Sequence, residues 1–183
     1  MLLAVDSSSV TAAAALCDAD GAVLKSEFVH SGLTHSETLL PMIQQVMAGK
    51  RFADLDAIAV TAGPGSFTGV RIGVATVKGL AFDADIPCVP VSALEAVAYN
   101  FLNADAVICV VMDARRMQFY NALFQVKAGR VVRLCADRAI SLADLAGELQ
   151  QYDRVIAAGD GAALFCSQCN AAVLCDEKKR FVT

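Results

Sequence analysis

Residues 2–6 are a short apolar run that ends at Asp6 ahead of three serines, and residues 11–17, TAAAALC, are a second such run. A third, 22–29, begins after the turn signal Asp20-Gly21. Three runs of strand length, the last two joined by an Asp-Gly turn, predict a three-stranded antiparallel meander. Alanine favours helix by propensity, yet the length and flanking turns of the second run favour a buried strand. The period then changes. Thr34 and Glu37 have the spacing of a capping box, and Leu39, Leu40, Ile43, Val46 and Met47 recur on one face, which predicts an amphipathic helix. Pro41 lies too deep to be a first-turn proline, so it is expected to kink or restart that helix. Ile58–Thr61 reads as a strand. A second helix is expected from about Ser66 to Phe82, with Val70, Val74, Val77 and Ala81 on one face.

Pro87–Val91 reads as a strand, Ala93–Phe101 as a helix and Asn103–Asp105 as a turn. After that the opening pattern returns. Val107–Met112 is apolar and ends at Asp113, residues 114–116 are a polar break, Gln118–Val126 alternates, and Ala128-Gly129 turns into Val131–Cys135. Asp6 lies 15 residues before Gly21, and Asp113 lies 16 before Gly129. This repetition predicts an internal duplication, with Asp113 the counterpart of Asp6. Ser141–Gln150 follows as a helix capped by Ser141, and Arg154–Ala158 as a strand ending in Gly159-Asp160-Gly161. The expected architecture is two α/β halves, 1–100 and 101–183, meeting along a cleft.

The segment GPGSFTGVRIG, Gly63 to Gly73, joins the fourth strand to the second helix. Gly63 and Gly65 permit positive φ, and Pro64 fixes its own φ and restricts Gly63. Beyond this corner the free amides at Ser66–Thr68 offer a place for an anion or for a partner's backbone. The segment is neither a Walker loop nor a GxGxxG fingerprint. Gly69 and Gly73 remove bulk from the helix, at about 0.5–1 kcal/mol each, so close packing is expected there, against a partner or against the chain's own sheet.

With 183 residues the chain can bury roughly 70% of its unfolded surface. Hydrophobic residues make up 56%, but the runs are far shorter than the ~20 residues of a membrane span, so the surplus points to a partner. The N-terminus lacks the features of a signal peptide. The net charge of −4 argues against independent, salt-sensitive binding to a polyanion, so any nucleic acid is expected to be reached only through another subunit. Of the seven cysteines, Cys17, Cys88, Cys109 and Cys135 lie in apolar segments and are expected to be buried free thiols, which fits a reducing compartment.

VDSSS (5–9), HSETLLP (35–41), GPGSFTGVRIG (63–73) and DARR (113–116), in that order, resemble the TsaB family, also called YeaZ. The resemblance implies the duplicated ribonuclease-H-like fold of actin, sugar kinases and Hsp70, in a cytoplasmic bacterial protein. It further implies a non-catalytic partner of TsaD in forming N6-threonylcarbamoyladenosine at position 37 of tRNA, with TsaE as a further partner. Relatives carry a further C-terminal helical segment, so the second half is expected to be either pared down or truncated, with an exposed apolar patch in the second case. The family has glutamate where Gln118 stands. TsaD-like paralogues bind a metal through a histidine pair on one helix; His30 and His35 have a different interval, which implies that this metal site is missing.

The expected partner interface comprises Leu39, Ile43, Gly69, Val70, Gly73, Val74 and Val77, a surface that in isolation is expected to pair two copies. The expected nucleotide-facing set comprises Asp6, Ser7, Gly63, Gly65, Ser66, Asp113, Arg115, Gly159 and Asp160. A carboxylate at the end of the first strand can position hydrated Mg²⁺, whereas Asp and Ser after a strand are also ordinary turn formers. Arg115 and Arg116 are either solvated or paired with acidic groups or phosphate. No cofactor is expected in isolation; ATP or ADP with Mg²⁺ is expected only in the complex with TsaD. The alternative is an independent ATPase or sugar-kinase-like phosphotransferase using Asp6 and Asp113, and a glycoprotease is a third reading that no GxSxG supports. Cys166-x-x-Cys169, with Cys175 nearby, lacks the four ligands of structural zinc and a thioredoxin context.

Overall fold

The first three runs form the expected meander: β1 (Leu2–Asp6), β2 (Ala12–Cys17) and β3 (Val23–Val29) pair antiparallel. The β2–β3 turn is held by Asp18, whose carboxylate accepts the amides of Asp20 and Ala22, while Gly21 takes φ 83°. β4 (Ala57–Gly63) and β5 (Cys88–Ser92) add in parallel, giving the order β3-β2-β1-β4-β5. The structure is a computed structural model that describes residues 1–30, 34–82 and 84–182. The described chain divides into two units, 1–93 and 94–182.

In the first unit α1 (His35–Val46) and α2 (Phe67–Phe82) pack on one sheet face, where Leu39, Met42, Ile43, Val46, Val77 and Ala81 meet Leu3, Val5, Ala14, Ile58 and Val60. α1 continues through Pro41 to Val46 without restarting. Two local expectations need correction. The capping box is not formed: the Thr34 hydroxyl donates to the Glu37 carboxylate at 2.9 Å and caps no amide. The inward face of α2 is Gly69, Gly73, Val77 and Ala81, with Val70 and Val74 only half-buried. Ser7, just past β1, approaches the helix so closely that Gly69 and Gly73 line the contact there.

The second unit repeats the plan. α3 (Ala93–Ala98) leads through a 3-10 turn to β6 (Ala106–Asp113), followed by β7 (Gln118–Lys127), β8 (Arg130–Arg133), β9 (Arg138–Ser141), α4 (Leu142–Leu149), β10 (Val155–Ala158), α5 (Ala162–Gln168) and β11 (Val173–Leu174). Its order, β8-β7-β6-β10-β11, is the first sheet's order over again, with antiparallel β6-β7-β8 and parallel β6-β10-β11; β9 pairs with β7 as an addition. The Lys127↔Arg130 register leaves Ala128 (φ 50°) and Gly129 (φ 73°) as a two-residue turn, the type that suits strand twist. Ser141 caps α4 by accepting the Asp144 amide at 3.1 Å. Val107, Cys109, Val111, Phe119 and Leu123 form a core with Leu145 and Leu149 of α4 and Ala162 and Phe165 of α5. Among the described residues no helix is long and apolar enough to cross a membrane.

Candidate functional site

The β1–β2 turn is the centre of a buried polar cluster in the first unit: Asp6, Ser7, Ser8, Ser9, Thr11 and Thr61 are each at most 5% exposed. Asp6 Oδ1 accepts three bonds, from the Ser8 amide (3.1 Å), the Ser8 hydroxyl (2.6 Å) and the Thr61 hydroxyl (2.6 Å). Oδ2 is buried with no partner. Burial pushes the Asp6 carboxyl above the usual range, against the lowering effect of its hydrogen bonds and of His35. The GPGSFTG corner closes on this turn. The Ser66 amide donates to Ser8 O at 2.7 Å, and a Cβ on Gly65 would lie 2.2 Å from that same oxygen. The Ser7 hydroxyl donates to Gly69 O at 2.9 Å and His35 Nε2 lies 2.8 Å from Ser9 O. The expected docking place for a partner's backbone at Ser66 is therefore filled by the chain's own Ser8.

An acid whose folded pKa is raised is protonated in the native state at pH values where the unfolded chain has released the proton, so stability falls as pH rises from about 3.9 to the folded value. Asp6→Asn keeps the Oδ1 acceptor without the ionisation. It should be more stable than the parent at pH 7, with the gain shrinking towards pH 4 in urea titrations. A variant less stable at both pH values would show that the carboxylate itself is required.

In the second unit Asp113, Asp160, Gly159, Gly161 and Arg115 come together. The Asp113 amide donates to Asp160 Oδ1 at 3.2 Å, and the Arg115 amide donates to Asp113 Oδ1 at 2.7 Å. Burial raises the Asp160 carboxyl and the Asp113 charge adds to the rise. Arg115, Arg116 and Met117 all have positive φ (68°, 53° and 61°), a left-handed run that the sequence did not reveal. Gly159 N donates to Arg180 O and Gly161 N to Val111 O, so these loop amides are already engaged. Asp113 is not the geometric counterpart of Asp6. It pairs with Phe119 on the α4/α5 face, whereas Asp6 pairs with Ala13 on the face opposite α1 and α2, because the two strands end one pleat apart.

Residues 30–175 match the family model described as TsaD: tRNA N6-adenosine threonylcarbamoyltransferase. The tRNA threonylcarbamoyladenosine biosynthesis protein TsaB of Bacillus subtilis is 38% identical over 157 residues, covering 85% of this chain and 68% of the relative. The chain belongs to the TsaB family. The TsaB of Escherichia coli is 35% identical over 128 residues, covering 68% of this chain and 54% of its own length. The chain thus spans between about half and two thirds of these relatives. The solved structure of YeaZ from Pseudomonas aeruginosa superposes with TM-score 0.82 at 28% identity, covering 96% of this chain and 84% of that one. The duplicated sheet order is the ribonuclease-H-like plan that the sequence motifs implied.

Within this TsaB-type chain the residues expected at a partner interface are mostly core. Leu39 (1% exposed), Ile43 and Val77 (0% each) are sealed against the sheet, so they are unavailable as docking anchors in the folded chain. Gly69 and Gly73 are notches for Ser7, since a Cβ there would lie 2.1 Å from Ser7 O and 2.4 Å from Ser7 Oγ. What α2 presents outward is Phe67, Arg71, Ala75, Lys78 and Phe82, with both phenylalanines exposed and Arg71 over the Phe67 ring at 5.1 Å. The sequence reading passed over this stripe because it followed the valines; the four-residue spacing of Gly69, Gly73, Val77 and Ala81 marks the opposite side as outward. All seven cysteines are free thiols; of the four expected to be buried, Cys109 is, Cys17 and Cys135 are only partly covered, and Cys88 is exposed. Among the described residues no group of three or more His, Cys, Asp or Glu side chains is arranged to hold a metal ion.

Proposed function

We propose that this chain is the non-catalytic partner subunit of TsaD in forming N6-threonylcarbamoyladenosine in tRNA. The relatives' name carries the pathway; the outward stripe of α2 carries the partnership. Phe67 is 74% exposed and Phe82 is 89% exposed on one helix face, and α1, packed beside α2, adds Leu40 at 41%. Large exposed apolar groups on adjoining helices mark an association surface, and aromatic residues are the commonest anchors at such surfaces. Arg71 and Lys78 between the rings favour a partner with carboxylates at the rim. TsaD occupies this surface, and in its absence a second copy does so. TsaE joins through the assembled complex and tRNA is held chiefly by TsaD, in keeping with the acidic balance of this chain.

ATP or ADP with Mg²⁺ belongs to that complex. Asp6 is closed to solvent with its Oδ1 fully used, and the amides of Ser66, Gly159 and Gly161 are bonded within their own units, so they do not form an open phosphate cradle in the isolated chain.

Calorimetric titration with the cognate TsaD tests the proposal. Phe67→Ala and Phe82→Ala should each raise Kd at least tenfold, about 1.4 kcal/mol, with the urea midpoint unchanged. Undiminished binding by the double variant would remove this surface from consideration. Nucleotide hydrolysis by the chain alone, lost in Asp6→Ala, would favour the enzyme reading.

A further inference from the structure

The Cys166-x-x-Cys169 pair is not used by the proposed function. Cys166 sits in the last turn of α5, and Cys169 caps its C-terminus, with its amide still donating to Phe165 O at 3.2 Å. Residues three apart on a helix have Cβ atoms roughly 5–6 Å apart, whereas a disulfide needs about 3.5–4.5 Å. In an unbroken helix closure would take a movement of about 1–2 Å, and here Cys169 has already left helical geometry for φ −154°, ψ 158°, which frees it from that spacing. Both thiols are half-buried and make only weak contacts, Cys166 Sγ to Ala172 O at 3.7 Å and Cys169 Sγ to Phe165 O at 3.5 Å. Cys175 lies close enough for its charge to act on Cys166, but its amide is pinned to Ala157 O at 3.0 Å beside the sheet, so it lacks the freedom of the helix end.

We propose that Cys166 and Cys169 are a redox modification site that closes to an intrachain disulfide by exchange with a low-molecular-weight disulfide such as oxidised glutathione. The Cys169 thiolate attacks one glutathione sulfur, breaking the S–S bond and releasing one glutathione thiolate. The Cys166 thiolate then attacks the Cys169 sulfur of the mixed disulfide and expels the second. Two protein thiols are oxidised, one small disulfide is reduced to two thiols, and the two protons pass through solvent to the glutathione thiolates.

Burial, followed by the neighbouring charges of Cys169 and Cys175, pushes the Cys166 thiol up. The second exchange step requires the Cys166 thiolate, so closure accelerates as pH rises and the mixed disulfide accumulates at lower pH.

The test equilibrates the full chain with glutathione at varied reduced-to-oxidised ratio, blocks free thiols and maps them by mass spectrometry. The expected result is loss of two thiols at Cys166 and Cys169 with Cys175 still alkylated, unchanged in Cys175→Ser, and glutathione trapped on Cys169 in Cys166→Ser. The rate of closure should rise about tenfold per pH unit below the Cys166 pKa. A disulfide lost in Cys175→Ser, reaction confined to the exposed Cys88, or two free thiols at every ratio would each overturn the proposal.

Discussion

Gly159→Ala should lower the unfolding free energy by about 3–5 kcal/mol, with a fall in Tm of roughly 10 °C. Gly159 holds φ 97°, where an L side chain is strained, and a Cβ there would sit 2.1 Å from Val111 O and 2.9 Å from Val111 C. Neither wall can retreat cheaply. Val111 O accepts the Gly161 amide, the Gly159 amide is fixed to Arg180 O, and β6 is buried along nearly its whole length. Backbone strain and a main-chain clash therefore add, and β10 must separate from β6 to relieve them. Hydrogen exchange should show lost protection in β6 and β10, with β1–β5 less affected. A loss below about 1 kcal/mol in urea titration would mean that the loop has room that its geometry denies.

Gly69→Ala should cost about 3 kcal/mol, again by a backbone contact: the new methyl would lie 2.1 Å from Ser7 O and 3.2 Å from His35 Cδ2. Gly73→Ala should cost less, because its close neighbour is the Ser7 hydroxyl at 2.4 Å, which can rotate by giving up its bond to Gly69 O. Gly79, in the same helix, has nothing within 4 Å of its hypothetical Cβ, so Gly79→Ala should stabilise by about 0.5–1 kcal/mol through helix propensity. The predicted order of urea midpoints is thus Gly69→Ala, Gly73→Ala, parent, Gly79→Ala. Equal effects at the three positions would mean that α2 stands clear of β1. The Gly69 variant differs from Phe67→Ala in its signature, since it weakens the fold and any docking together, whereas the phenylalanine change spares the fold.

Much of this architecture was legible because it rests on local rules. Short apolar runs bounded by turn signals placed β1–β4, a 3.6 period placed α1 and α2 within a few residues, the Ser141 cap formed as read, and the repeated run–Asp–glycine-turn pattern pointed to the duplication that the two sheets display. β9, α5 and β11 were missed; each is short, and β9 and β11 exist only because an existing strand offers them an edge. Thr34 misled because a hydroxyl near an acidic side chain has two good partners, and spacing does not say which one it takes.

The sequence by itself determined the family motifs, the duplicated α/β order and the glycines that only a close approach can use, because each depends on residue type and spacing along the chain. The tertiary structure alone decided which groups those features meet. It set Ser7, not a partner, in the α2 notches, buried Leu39, Ile43 and Val77, and turned Asp6 and Asp113 to opposite sheet faces. The physical reason is that helix phase and strand register fix orientation only relative to neighbours, and one pleat or half a helical turn exchanges inside for outside.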